Sequence, residues 1–174
     1  MTDLSTAVGA ALRDVPDFPK PGIVFKDITP LLADPELFGR VIAWMAALGR
    51  AAGVTKVVAL DARGFLFGGA LVTELGVGLV PVRKAGKLPS ESIKVSYALE
   101  YGEAEVELHV DAIAPGERVM VVDDVLATGG TAGAAIALVR ALGGEVALAV
   151  FVIELGFLEG ADLLGVPVES LVVL

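Results

Sequence analysis

The chain has 174 residues, a net charge of −9 and 55% hydrophobic residues, enough for one domain with a full core. It has no Cys, which removes disulfide and thiol chemistry, and its acidic balance runs against a nucleic-acid-binding face. Mean hydropathy is high at +0.77, yet the longest apolar run, residues 146–153, falls far short of the ~20 residues of a membrane-spanning helix.

The start, Met1-Thr2-Asp3-Leu4, has no basic region ahead of an apolar run, which predicts a cytoplasmic protein with no membrane partner. Residues 5–13 read as a helix. Residues 14–22 hold three prolines and read as irregular chain. Asp34, Pro35 and Glu36 supply an N-cap, a first-turn proline and a first-turn acid, opening a helix to about residue 52. A strand over 56–60, a helix from about 64 to 75 and a strand over 79–82 follow. Residues 83–94 read as a long loop, and residues 95–99 and 103–110 as a hairpin about Tyr101 and Gly102. In its second arm Glu103, Glu105, Glu107 and His109 alternate with Ala104, Val106, Leu108 and Val110. That pattern predicts an antiparallel strand wet on one face, with His109 on the surface. A buried strand over 119–122, a helix over about 131–142 and strands over 146–153 and 170–174 complete the chain. Strands alternating with helices predict an α/β fold, a mainly parallel central sheet flanked by helices, in a single domain spanning 1–174.

The richest stretch is Val119-Met120-Val121-Val122-Asp123-Asp124-Val125-Leu126-Ala127-Thr128-Gly129-Gly130-Thr131. It reads as a buried strand, two carboxylates, a loop of small residues and a helix start. Asp123 and Asp124 fall at the strand's carboxyl end, where open α/β sheets bind ligands. Ala127, Thr128, Gly129, Gly130 and Thr131 have little bulk, so their backbone N–H groups can close around a phosphate. The Thr128 and Thr131 hydroxyls are extra donors, and the following helix aims its positive end at the loop. No Gly-Lys-Ser/Thr follows, and Gly-x-Gly-x-x-Gly is absent, so this is neither a Walker A loop nor a dinucleotide fingerprint. Adjacent carboxylates beside a phosphate cradle suit the vicinal hydroxyls of a ribose 5-phosphate. The same residues also suit a polar strand end and an ordinary Gly-Gly turn, which spacing alone does not separate.

Val122 to Thr131 resembles the phosphoribosyl pyrophosphate signature of the type I phosphoribosyltransferases, in the form carried by adenine-specific members. Xanthine-specific members usually have Asn-Gly-Gln where this chain has Thr128-Gly129-Gly130. Three more segments are similar to that family. Residues 17–30 resemble its adenine-binding loop, an N-terminal hood over the base. The resemblance implies that the backbone of Val24 and Lys26 reads the Watson–Crick edge of adenine, with Phe25 and Leu126 flanking the ring. Asp61-Ala62-Arg63-Gly64-Phe65 resembles the pyrophosphate loop, with Arg63 nearest base and pyrophosphate. Residues 81–102 resemble the segment that carries the family's mobile loop. There the resemblance implies that Arg83, Lys84 and Lys87 meet the pyrophosphate, Glu100 is the catalytic proton-transfer residue and Tyr101 closes over the site. A loose lid over 84–98 is expected. Gly69-Ala70 and Ser90-Glu91-Ser92 depart from the family pattern without touching these groups.

The resemblance implies a homodimeric enzyme that converts adenine and 5-phosphoribosyl 1-pyrophosphate to AMP and pyrophosphate. No His, Cys or Asp cluster has the spacing of a protein-held metal, and Mg²⁺ is expected to arrive on the substrate. Two alternatives stand beside this reading. One is the same fold acting on another purine. The other is a ligand-sensing regulator that binds DNA or RNA, which would call for an added domain or a basic face.

The chain also contains no Asn, Gln or Cys. These residues are depleted in heat-adapted proteins, although the charged fraction of 20% shows no matching enrichment. Calorimetry is expected to place the unfolding midpoint above the ~45–65 °C typical of mesophile domains. A midpoint inside that range would assign the composition to codon use or lineage.

Overall fold

A computed structural model describes residues 3–98 and 103–174. In chain order the elements are α1 (Leu4–Ala11), β1 (Arg13–Pro16), β2 (Val24–Asp27), α2 (Thr29–Ala33), α3 (Pro35–Ala52), β3 (Lys56–Leu60), α4 (Gly64–Leu75) and β4 (Gly78–Lys84). Then come β5 (Ser92–Ala98), β6 (Glu103–His109), β7 (Arg118–Leu126), α5 (Gly130–Ala141), β8 (Glu145–Glu154), 3₁₀ turns at Gly156–Leu158 and Ala161–Leu163, and β9 (Val168–Val173). Seven strands form one sheet in the order β5-β6-β4-β3-β7-β8-β9. From β4 to β9 the pairings are parallel, while β6 runs antiparallel to both β4 and β5. β1 and β2 form a separate antiparallel pair.

The valine-rich strands are buried on both faces, as parallel strands between helix layers must be. On one face Val58, Leu60, Val121 and Phe151 pack with Ala135, Leu138 and Val139 of α5. On the other, Val57, Met120, Val122 and Val150 pack with Val41 and Met45 of α3 and Phe67 and Leu71 of α4. Each of these large side chains contributes about 1.5–3 kcal/mol by leaving water. Helix α3 starts where the sequence predicts: the Asp34 carboxylate accepts the N–H groups of Glu36 and Leu37, each at 3.0 Å. It stops at Gly53, whose φ of 63° is left-handed. Helix α4 lies so close to β3 that a Cβ at Gly68 would stand 2.6 Å from the Ala59 Cβ. That contact fixes where α4 begins, and with it the turn between Leu60 and Gly64.

Three expectations change. Residues 14–22 are not wholly irregular, because Arg13–Pro16 pairs with β2, Pro16 closing the strand, and Pro19 and Pro21 occupy the turn between the two strands. The motif strand does not stop at Val122: β7 runs to Leu126, since β8 continues alongside it. The loop of 83–94 shrinks to residues 85–91, because Arg83 and Lys84 pair with β6 and β5 begins at Ser92. The expected lid over 84–98 narrows accordingly, its second half being paired strand.

The polar face of β6 is not fully wet either. Glu107 is only 2% exposed. Its carboxylate accepts the N–H groups of Lys87 at 2.8 Å and Leu88 at 2.7 Å and the Ser92 hydroxyl at 3.1 Å. The alternation of β6 is as the sequence predicts, but the 85–91 loop folds back over its charged side. His109 is partly covered too, and its Nε2 is buried with no hydrogen-bond partner among the described residues. The Leu88 N–H, and then those of Gly86 and Lys87, hold the Glu107 carboxyl down from 4.5 to about 2 against the opposing effect of burial.

A depressed carboxyl pKa contributes stability that is present above about pH 4.5 and lost as pH falls toward 2. The thermal midpoint of the wild type is therefore expected to fall more steeply across that interval than that of Glu107→Gln. Parallel profiles would remove Glu107 as the clamp of this loop.

Candidate active site

Strand β3 pairs with β7 only as far as Val122, so the last residues of β7 project past the end of β3 with β8 as their one strand partner among the described residues. A cleft of about 420 Å³ opens at this step, on the carboxyl edge of the sheet. Four segments build it. β2 and the residue before it supply Ile23, Val24, Phe25 and Lys26, and the β3–α4 turn supplies Asp61 and Arg63. β7 and the start of α5 supply Asp123, Asp124, Val125, Ala127 and Thr131, and Leu155 follows β8.

The two acids differ in state. The Asp124 side chain is 4% exposed and forms an ion pair with the Nε of Arg63. Asp123 accepts the Asp124 N–H at 2.9 Å. Burial, then the charge of Asp124, pushes the Asp123 carboxyl well above the usual carboxylate range. A Cβ at Gly64 would come 2.9 Å from Asp123 Oδ1, so the glycine lets this acid rest against the start of α4. The Arg63 guanidinium also stands 5.7 Å from the centre of the Phe25 ring, within cation–π range. It thus bridges the acids and the aromatic wall.

Beside the acids, Ala127 to Gly129 turn the chain into α5. Gly129 has φ of 81°, in the left-handed region, and no side chain caps the helix. The first N–H groups of α5 therefore face the loop unblocked by a cap, the arrangement that binds anions. Thr131 lines the cleft, and its hydroxyl donates to the Tyr97 hydroxyl on β5 at 3.0 Å. Thr128 is exposed at the rim.

On the opposite wall, β2 has β1 on one side and, among the described residues, no strand on the other. One edge of its backbone is left to bond something else. Residues 24 and 26 are two apart and so present their backbone groups on the same edge. Phe25 is braced by the Phe18 ring, with centroids 5.3 Å apart, and Lys26 by Asp14 at 2.5 Å.

One expected wall residue is wrong. Leu126 is 1% exposed and belongs to the core under α5. Val125 lines the cleft in its place, because β7 is still strand there and successive side chains point to opposite faces. Leu155, which the sequence reading missed, lines it too. Its only sequence signal is its position directly after the Glu154 that ends β8. Arg83 lies 3.3 Å from Asp61 through its Nε, and its Nη1 donates to the Lys87 carbonyl at 3.2 Å. Lys84 and Lys87 are exposed and do not line the cleft. Glu100 and Tyr101 lie outside the described residues.

Residues 28–158 match the family model described as the phosphoribosyl transferase domain. The chain is 60% identical over 164 residues to the adenine phosphoribosyltransferase of Myxococcus xanthus, covering 94% of this chain and 89% of that one. Among solved structures, adenine phosphoribosyltransferase from Rhodothermus marinus superposes with a TM-score of 0.93 at 49% identity, over 98% of both chains. The Saccharomyces cerevisiae adenine phosphoribosyltransferase, solved with adenine and an imino-altritol bisphosphate, gives a TM-score of 0.92 at 44% identity, over 97% of this chain and 98% of that one.

Proposed function

The chain belongs to the phosphoribosyl transferase family, and from that footing we propose that it acts on adenine. It joins the base to 5-phosphoribosyl 1-pyrophosphate, giving AMP and pyrophosphate in purine salvage. One observation carries the reading. An uncapped helix start, a pair of carboxylates and a free β-strand edge between apolar walls meet in a single cleft.

Residues 127–131 hold the 5′-phosphate, and Asp123 and Asp124 accept hydrogen bonds from the ribose hydroxyls. Arg63, paired with Asp124, places a positive charge beside the two acids. Asp123 and Asp124 also suit a Mg²⁺ bound through one or two carboxylates and substrate phosphates. Such an ion would supply charge neutralisation at the pyrophosphate. Arg83, Lys84 and Lys87 add their positive charge there, Arg83 already standing against the cleft wall at Asp61. As pyrophosphate departs, C1 of the ribose becomes oxocarbenium-like, and adenine N9 attacks the opposite face with inversion. Glu100, assigned by family resemblance, takes the proton the base must lose, and Tyr101 covers the site. Positioning and charge stabilisation carry most of the rate.

Base choice rests on the free edge of β2. A backbone carbonyl accepts from the 6-amino group and a backbone N–H donates to N1, both from residues 24–26. A 6-oxo purine would leave a buried acceptor unpaired, which supplies the discrimination. Val125, Phe25 and Leu155 flank the ring. We also propose a single catalytic domain that works in the cytoplasm as a homodimer. Leu66 on α4 and Leu79 on β4, 50% and 40% exposed, are apolar surface that a second copy could cover.

The test is formation of the corresponding nucleoside 5′-monophosphate and of pyrophosphate, measured side by side with adenine, hypoxanthine, guanine and xanthine. Adenine alone is expected to react well, and equal or faster turnover of a 6-oxo purine would sink the assignment. In the same assay Glu100→Gln is expected to lower kcat by roughly 10²–10⁴ with little change in substrate affinity, the span of a general acid–base group. A kcat near wild type would remove Glu100 from the mechanism.

A further inference from the structure

The phosphate loop rests on a piece of backbone that none of the motifs contains. A Cβ built on Gly160 would stand 2.1 Å from the Ala127 carbonyl oxygen, 2.9 Å from the Gly129 nitrogen and 3.0 Å from the Thr128 carbonyl carbon. The contact is reciprocal, since a Cβ on Gly129 would stand 2.7 Å from the Gly160 carbonyl oxygen. Two backbones therefore lie against each other with no side chain between them.

The two glycines serve for different reasons. Gly129 has φ of 81°, so its backbone conformation already favours glycine. Gly160 has φ of −64° and ψ of −30°, which any residue adopts. Space alone requires glycine at 160. The residue before it, Glu159, carries a left-handed φ of 52° and sets the turn that delivers Gly160 to the loop.

The segment around Gly160 is anchored at both ends. The Leu155 N–H donates to the Leu126 carbonyl at 2.8 Å, at the end of β7. Beyond Gly160, Leu164 is buried in the core beside α5, and Arg140 in the last turn of α5 donates to the Gly165 carbonyl at 3.0 Å. Residues 155–165 thus form a bracket that touches the phosphate loop at Gly160 and the far end of the same helix at Gly165.

We infer that Gly160 is a positioning residue for the 5′-phosphate: its bare backbone sets the shape of the 127–130 loop and so the direction of the N–H groups that receive the phosphate. The inference rests on the reading of that loop as the phosphate cradle. It predicts a change confined to one substrate. Any side chain at 160 pushes the loop and tilts its donors, while the base wall of β2 and the acids of β7 stay in place.

Gly160→Ala is compared with the wild type by titration with phosphoribosyl pyrophosphate and by steady-state kinetics, with circular dichroism to confirm the fold. The dissociation constant and KM for phosphoribosyl pyrophosphate are expected to rise about ten- to a hundredfold, the scale of one hydrogen bond to a charged group. The KM for adenine and kcat at saturation are expected to hold. A wild type that binds phosphoribosyl pyrophosphate, beside a folded variant that binds it equally well, overturns the positioning role alone. Parallel changes in both KM values and in kcat overturn it as well. A wild type that does not bind phosphoribosyl pyrophosphate overturns the functional reading and this inference together. If Gly160→Ala does not fold, Arg140→Ala releases the exposed far anchor and leaves the loop's own residues intact. It is expected to weaken phosphoribosyl pyrophosphate binding about two- to tenfold, the scale of one neutral hydrogen bond, and unchanged binding would overturn the inference.

Discussion

Strand β7 outlasts strand β3. The register that pairs Ala59 with Val122 ends there, and the next four residues of β7 continue with β8 alone. This offset makes the step in the sheet on which the cleft depends. It places Asp123 and Asp124 on the cleft while β8 keeps their strand paired. It also leaves room above Leu60 for the turn that carries Asp61 and Arg63. Had the two strands ended level, the acids would face a filled neighbour and Arg63 would have nothing to pair with.

The charge arrangement around that step resolves an apparent conflict. A chain with a net charge of −9 is an unpromising host for an anionic substrate. Charges beyond about 8 Å are largely screened at physiological ionic strength, so the local groups decide. Within the cleft, Arg63 neutralises Asp124 and the start of α5 offers uncapped N–H groups. The Arg63 guanidinium also sits by the Phe25 ring, so the same cation touches both walls of the cleft.

The β5–β6 hairpin is tied to this centre by two polar contacts. Thr131 at the start of α5 meets Tyr97 of β5, and Glu107 of β6 gathers the 85–91 loop onto the strand. Arg83, at the base of that loop, is held between Asp61 and the Lys87 carbonyl. A movement of the hairpin would therefore carry strand, loop and Arg83 together.

The sequence by itself determined most of the elements from α3 onward, because the period of its apolar residues and its caps act locally: Asp34 caps α3 and the valine runs form buried strands, whereas β1, β2 and α2 gave no such signal. It also made the loop after β7 and the two acids legible as a candidate site, since strand, carboxylates, glycines and helix start are contiguous. Only the tertiary structure decided which neighbours those groups meet. That Val125 and not Leu126 faces the cleft depends on how far β8 accompanies β7. That Glu107 is buried depends on a loop twenty residues away folding over it. That Gly160 lies against the 127–129 loop depends on a backbone approach between residues about thirty apart, and a glycine with an ordinary φ gives no local sign of it. Periodicity and capping are properties of a segment, whereas register, coverage and close approach are properties of pairs of segments, and only the assembled chain brings those pairs together.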